Sequence, residues 1–425
     1  VGVNSGNEDG SITLNVTATP APGDTTNPRV SVVISGLPAG AQVAGALLLP
    51  PVNVGDPPRW TASAADVNSG LVRITPPADF SGTMTVTVEG IARNANLQSA
   101  TSGQQAVPVA VDPVADGVTI NASPAAGVED TPVALNISLA EKDVDGSEDI
   151  GSSTYLTLDN GATLVGGYAT VAAGDADAVV GGVSLVGFYR VPTASIGSLQ
   201  VLPASNWHGA VSVTIVAYSV EPVDPTPDAD NVKVDTRTFT VNVTADADAP
   251  NIAVPVSVSG TEDTAIALPG LSATLVDTVV ANGAEVLSAT ISGVPLGSKF
   301  SAGSNNGDGS WTIPVAALSG LTFTPPPNYS GTARLTLNGI AFELSNGDEA
   351  TRSASFDVVV APRADSVEIL AANVTVDATA QAALVLNVRM ADTTGTLPGE
   401  SPAERIQITF TSVTTEIAIL ANSGG

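Results

Sequence analysis

Two adjacent carboxylates stand just ahead of a strand-forming run at three places in the chain. They are Glu8 and Asp9 in "GNEDGSITLNVT", Glu129 and Asp130 in "GVEDTPVALNIS", and Glu262 and Asp263 in "GTEDTAIALPGL". Paired acids can bind a hard cation, share acid and base work, or cap a turn. A further acidic run, "EKDVDGSEDIGSS", sets Asp143, Asp145 and Glu148 around Gly146. Its D-x-D-G-x-E pattern supplies oxygen donors on a loop with glycine at the sharp bend. It is shorter than an EF-hand loop and lacks that loop's distal Glu. More acids lie in short stretches: Asp112 and Asp116 in "VDPVADGV", Asp246 and Asp248 in "TADADAPN", and Asp365 in "APRADSV".

Carboxylates gathered at one point repel unless a cation lies among them. Calcium takes about 6–8 oxygen ligands and suits such a cluster better than Mg2+. Zn2+ lacks its usual donors, since the chain has one His and no Cys. The expected ion is therefore Ca2+. The alternative is that each Glu-Asp pair is a turn or cap with solvated carboxylates. Asp24, Asp277 and Asp392 fall in loops corresponding to the Asp143 loop without the rest of its motif.

Catalysis finds little support. His208 is the only histidine, and it follows Trp207 where the related segments have Ser81 and Ser330. It is expected to be a surface or turn residue. No Ser/His/Asp constellation recurs, and no phosphate-binding glycine loop opens a helix. Acid pairs repeated along a chain argue for structure rather than for one active site. The protein is expected not to be an enzyme.

The elements that must position the acids repeat along the chain. After each Glu-Asp strand come "VSVVISGLPAGAQV", "LTLDNGATLVGG" and "SATISGVPLGSKF". Then follows a segment with an aromatic, Trp60, Tyr189 or Trp311, ahead of Leu71, Leu199 or Leu321. The clearest segment is "PADFSG", "PASNWHG" and "PPNYSG", where Phe80, Trp207 and Tyr329 precede Gly82, Gly209 and Gly331 by two residues. The aromatic reads as a core anchor at a corner, and the glycine as a residue of positive φ. A closing strand ends each unit: "QQAVPVAVDP", "TRTFTVNVTAD" and "SASFDVVVAP".

This pattern predicts an all-β chain of tandem Ig-like or cadherin-like β-sandwich domains in an extended array. The predicted units are 1–116, 117–248 and 249–365, with a partial fourth over 366–425. The fourth keeps only Asp377 at the Glu-Asp place and lacks the aromatic-glycine segment. Either the chain is a fragment of a longer one, or a strand from another chain completes this fold, or the fourth unit is a shorter or different fold. The Glu-Asp pair lies about ten residues after each joint, and the loop after the first strand can return to the end where that joint sits. There the Glu-Asp pair and the linker aspartates would converge.

The formal charge of −28, from 42 acids and 14 bases, argues against nucleic acid and against anionic membranes. Bound cations would lower that charge. The absence of cysteine fits a cytosolic protein or a bacterial surface protein. No signal peptide and no membrane-spanning run is visible, so direct membrane insertion is not expected.

The E-D-T strand, the D-x-D-G-S-E loop and the P-x-N-aromatic-x-G segment resemble a known type. They are similar to the extender repeats of giant bacterial surface adhesins of the repeats-in-toxin kind, exported by type I secretion. The resemblance covers the first three units. It implies an extracellular stalk on the bacterial cell surface, with Ca2+ at the joints stiffening it and holding adhesive domains away from the cell. The implied partners are neighbouring repeats of the same chain. The implied ligands are Glu8, Asp9, Glu129, Asp130, Glu262 and Asp263 with the linker aspartates. The nonapeptide glycine-rich repeats of that family are absent. Two other functions stay open. The chain could self-associate into a filament or surface layer, pairing with other copies through the fourth unit. Or it could bind glycan or peptide through the long loops from Gly167 or Ser219.

Overall fold

β-Branched residues alternating with small polar ones leave the backbone two states of side-chain placement, in and out. The strand Gly209–Val220 shows it, with Val211, Val213 and Ile215 buried and Ser212 and Thr214 between them less so. In this computed structural model the described residues are 4–22, 28–143, 145–222, 230–276, 285–364, 366–371, 386–390 and 407–409. Asp24, Asp277, Asp365, Asp377 and Asp392 lie outside them, as does most of the predicted fourth unit. The described part of that unit includes an antiparallel pair, Val367–Ala371 with Leu386–Met390. Two compact units emerge, 1–244 and 245–425.

The first unit holds two β-sandwiches. One has a six-stranded sheet in the order Ser5–Asn7, Ser99–Asp112, Gly82–Arg93, Arg29–Ser35, Arg59–Ser63, Leu47–Leu49. A three-stranded sheet of Ile12–Thr13, Arg73–Thr75 and Gln42–Ala44 faces it. Ile12, Ile34, Ile74, Val86 and Val109 fill the space between. The other sandwich orders Ala125–Val128, Val232–Thr244, Gly209–Val220, Ser153–Leu158 and Tyr189–Pro192, around Leu156, Val201, Val213 and Val241. The second unit repeats the plan. Ser257–Thr261, Glu349–Ala361, Gly331–Glu343, Glu285–Ser292, Trp311–Ile313 and Ser304–Asn305 form its large sheet, over Leu268, Phe323, Leu335 and Phe356.

One pairing recurs and positions the acids. The strand before each Glu-Asp pair runs parallel to the closing strand of its own sandwich. The chain therefore arrives at Glu8, Glu129 and Glu262 beside the end of that closing strand, where the linker starts. The backbone N–H of each Glu donates to a carbonyl there: Asp112, Thr244 and Ala361. Glycine two residues before each Glu leaves room for the inward side chain of the strand that follows the turn. A Cβ on Gly127 would sit 2.2 Å from Val133, and one on Gly260 2.5 Å from Ile266.

The corner segments behave as their spacing implies. Gly82, Gly209 and Gly331 adopt φ of 100°, 132° and 132°. Tyr329 is buried, and Phe80 and Trp207 pack against their cores. Ahead of each following strand lies a short helical turn, Ala64–Asn68, Thr193–Ser198 or Val315–Ala317. Leu199 and Leu321 are buried after it, whereas Leu71 is exposed and Val72 takes the inward place.

The second sandwich carries an addition on the outer face of its sheet. Val171 and Leu185 from the long loop pack on Tyr155 and Val216 of the sheet. The Tyr155 hydroxyl donates to Asp177 Oδ2 at 2.6 Å, and Arg190 bridges Asp177 and Asp175. The hydrogen bond from Arg190, helped by that from Tyr155, outweighs burial and holds Asp177 down at about 2.

Candidate metal centre

The two members of each Glu-Asp pair do different things. Asp9, Asp130 and Asp263 all adopt the left-handed conformation, at φ of 56°, 55° and 56°. Each carboxylate then reaches the corner turn of its own sandwich. It accepts from the N–H of Asp79, Asn206 and Asn328, at 3.5, 3.0 and 3.1 Å. Those three residues are also left-handed, a state that short Asp and Asn side chains tolerate. The glutamates are buried, with Glu8, Glu129 and Glu262 exposed by only 3%, 3% and 2%. Glu8 Oε1 accepts from the N–H of Val114 in the linker at 2.5 Å, and Glu262 Oε1 accepts from the N–H of Arg363.

Acids from both sandwiches of the first unit meet at Glu8. Single carboxylate oxygens of Glu8, Asp143 and Glu221 lie within 4.8 Å of one another, all three residues buried. Those of Asp9, Asp79 and Asp116 form a second, more open group of the same size. Asp145 and Glu148 complete the neighbourhood. Glu148 Oε1 accepts from the N–H groups of Asp116 and Gly117 at 2.7 and 3.0 Å. Asp145 accepts from the Ser81 N–H at 2.8 Å and its hydroxyl at 2.6 Å, so the loop of the second sandwich grips the corner of the first. Gly146, at φ of 89°, makes the bend that the motif required.

Charge at this point is poorly balanced. Among the described residues no Lys or Arg forms an ion pair with any of these eight acids. The second carboxylate oxygens of Glu8, Glu148 and Glu221 are buried without a hydrogen-bond partner. Two unit charges 4.8 Å apart repel by about 3 kcal/mol at an effective dielectric near 20. Burial, reinforced by Asp143, Asp145 and Glu221, raises Glu8 to about 7 despite the Val114 N–H. Burial and the Glu148, Asp143 and Asp145 charges raise Glu221 to about 7. Burial and neighbouring acids also raise Asp79 and Asp116. Asp145 goes the other way: burial pushes it up, but the Ser81 and Ser147 hydrogen bonds outweigh that and hold it at about 2. Oxygens across one Ca2+ ion are roughly 4.6–5.2 Å apart, so each group of three has the span of a hard-cation site.

The second unit builds a similar set from its own residues. Glu285 and Glu343 face each other in register and are both buried. The Asp248 N–H donates to Glu285 Oε1 at 3.3 Å, as Asp116 donates to Glu148. The Ala247 N–H donates to Asp348 at 3.1 Å. That bond, with others from Glu349 and Asp246, lowers Asp348.

Of the sequence-predicted donors, Glu8, Asp9, Asp116 and Asp143 enter the two groups of three, with Asp145 and Glu148 beside them. Asp112 does not enter either group; its contribution is the carbonyl that receives the Glu8 N–H. Glu129 and Asp130, Glu262 and Asp263, and Asp246 and Asp248 are placed as described above. Sequence reasoning missed Asp79 and Glu221, which enter the two groups, and the acids Glu285, Glu343 and Asp348 of the second unit. A signal for two of them existed: Glu221 and Glu343 each stand twelve residues after a corner glycine. His208 requires a correction. It is 8% exposed, not on the surface, because the backbone after Trp207 turns its ring in against Glu129.

No known protein family matches the sequence, and no curated protein matches it. Among solved structures the chain is similar to mouse cadherin-23 EC22-24, at 14% identity over 85% of this chain and 96% of that one, with a TM-score of 0.37. It is similar to human mucin-like protocadherin EC1-2 at 14% identity, over 58% and 98% of the two chains, with a TM-score of 0.27. A three-immunoglobulin-domain structure of titin is similar at 10% identity, over 85% and 94%, with a TM-score of 0.28. These neighbours are tandem cadherin and Ig-like domains. Strand order and register define the all-β tandem sandwich fold independently of them. No helix among the described residues is long and apolar enough to cross a membrane.

Proposed function

We propose that this chain is a stalk segment of an extracellular adhesion protein, stiffened by Ca2+ where its sandwiches meet. The observation that carries the reading is the set of buried, unpartnered carboxylate oxygens on Glu8, Glu148 and Glu221. A buried carboxylate without a partner costs several kcal/mol unless it takes a proton or a cation. Glu8, Asp143 and Glu221 would hold one ion, and Asp9, Asp79 and Asp116 another. Calcium supplies charge there and draws the Asp143 loop of one sandwich to the linker and corner of the other. The sandwiches are taken as 1–116, 117–248 and 249–365, with a partial unit after them. A bacterial surface origin with type I export rests on the sequence motifs alone.

The test is thermal unfolding and small-angle scattering of the 425-residue chain, in excess Ca2+ and after chelation. A ligand bound only by the native state adds about 2.7 kcal/mol at a hundredfold excess over its Kd. A higher melting temperature and a stiffer scattering profile in Ca2+, lost in Glu8→Gln, support the stalk. Identical curves in both conditions would remove the metal from the reading.

A second reading has its own observation, the addition on the second sandwich. Asp175, Asp177, Val180, Arg190 and Tyr218 line an open hollow there. Planar polar groups beside an aromatic ring suit a sugar or a peptide. Binding on a glycan array that disappears when the 167–187 loop is shortened would favour it.

A further inference from the structure

The corner turn differs between sandwiches at one position. Ser81 and Ser330 occupy it in two of them, and His208 in the third. Ser81 is fully used, donating its N–H and hydroxyl to Asp145. His208 is not. Its side chain is 10% exposed, and neither ring nitrogen has a hydrogen-bond partner. A buried ring whose nitrogens make no hydrogen bond gives up the hydration of both. Nδ1 faces Oε2 of Glu129 at 3.9 Å. That is too long for a hydrogen bond. It is a distance that one metal ion bridges: bonds of about 2.0–2.2 Å to nitrogen and oxygen span up to roughly 4 Å.

We propose that His208 and Glu129 form a mixed nitrogen–oxygen site for a borderline divalent metal ion, of the Zn2+, Ni2+ or Cu2+ type. The donor type separates it from the Glu8 centre. Imidazole is a preferred ligand of these ions, whereas Ca2+ and Mg2+ take oxygen. The assignment does not depend on calcium at Glu8, because it uses neither those residues nor that ion.

The chain has a single histidine, which makes the test direct. One equivalent of Cu2+ is added to the full chain, with and without excess Ca2+, and pulsed electron paramagnetic resonance is recorded. The expected spectrum carries the nitrogen modulation of one imidazole in both conditions. His208→Ser, which restores the residue of the sister sandwiches, should abolish it. Zn2+ should raise the melting temperature of the parent chain and not of this variant. Glu129→Gln should weaken Cu2+ binding at least tenfold. Absence of the imidazole signal at one equivalent overturns the site, as does an equal Zn2+ effect in both chains. Loss of the signal only in excess Ca2+ also overturns it, since Glu129 would then belong to a calcium site. If the Ser variant does not fold, the parent spectrum still decides, because no other imidazole exists in the chain.

Discussion

Raising the pH of the chelated protein from about 5 to about 8 is expected to destabilise its first unit. Glu8 and Glu221 are each raised from 4.5 to about 7 in the folded chain. Between those values the folded state keeps protons that the unfolded state has already released. Stability therefore falls as pH rises, with the slope set by that difference in bound protons. Each shift taken alone corresponds to about 3 kcal/mol. Asp143 and Asp145 enter both shifts, and solvent at the rim screens them, so the pair together is set at about 3 kcal/mol rather than twice that. For a unit of this size that lowers the melting temperature by roughly 6–12 °C. Asp145 and Asp177, held at about 2, titrate below this window and do not mask it. The assay is thermal unfolding followed by circular dichroism across the pH range, in chelator and in excess Ca2+. Calcium binds the ionised form, so the loss above pH 7 should be recovered in its presence. Glu8→Gln should flatten the chelated profile and blunt the calcium response. A chelated profile that is flat or rising from pH 5 to 8 would falsify the account of buried, uncompensated acids.

Other changes test the frame around the site. Gly331→Ala places a side chain at φ of 132° and should cost about 1–3 kcal/mol, read as a lower denaturant midpoint. Phe323→Ala empties a fully buried position in the third core and should cost about 3–5 kcal/mol by the same measurement. Asp177→Asn removes the carboxylate charge that faces Arg190 and weakens the bond from Tyr155, so limited proteolysis should cut the 167–187 loop sooner while the melting temperature changes little.

The fold was legible because each repeat states it in local chemistry. Alternating β-branched residues mark the strands, and the aromatic-x-glycine corner marks a turn that only glycine fits easily. The expected return of each Glu-Asp pair to the joint ahead of it needs correction: parallel pairing with the closing strand carries the pair to the opposite end of its own sandwich, where the next joint starts. Asp79 and Glu221 were not legible as donors. Their meeting with Glu8 and Asp116 depends on strand register and on the packing of two sandwiches, which no local pattern encodes. Glu221 ends a long strand, and only its twelve-residue distance from Gly209, matched by Glu343 and Gly331, hinted at a role. His208 misled for the opposite reason. Its sister residues are serines, which suggested a polar turn, yet the ring is large enough to reach back to Glu129.

The repetition of Glu-Asp now has two causes that need separating. The aspartate is architectural: at a left-handed φ it receives the N–H of the corner turn, tying the first strand's exit to the aromatic anchor. That work is local to one sandwich and needs no ion, so it explains why the residue recurs at Asp9, Asp130 and Asp263 alike. The glutamate is different. At Glu8 and Glu262 the N–H and one carboxylate oxygen tie the strand end to the linker, but a neutral glutamine carbonyl could accept the same linker N–H without the cost of a buried charge. An ionised side chain there is favourable only when something cationic shares the space. At Glu8 the neighbours are further acids, which suits a hard divalent ion; at Glu129 the neighbour is an imidazole, which suits a softer one. On the proposed function a structural turn residue and a cation ligand would sit side by side in sequence because one chain exit delivers both, the first to its own corner and the second to the start of the linker.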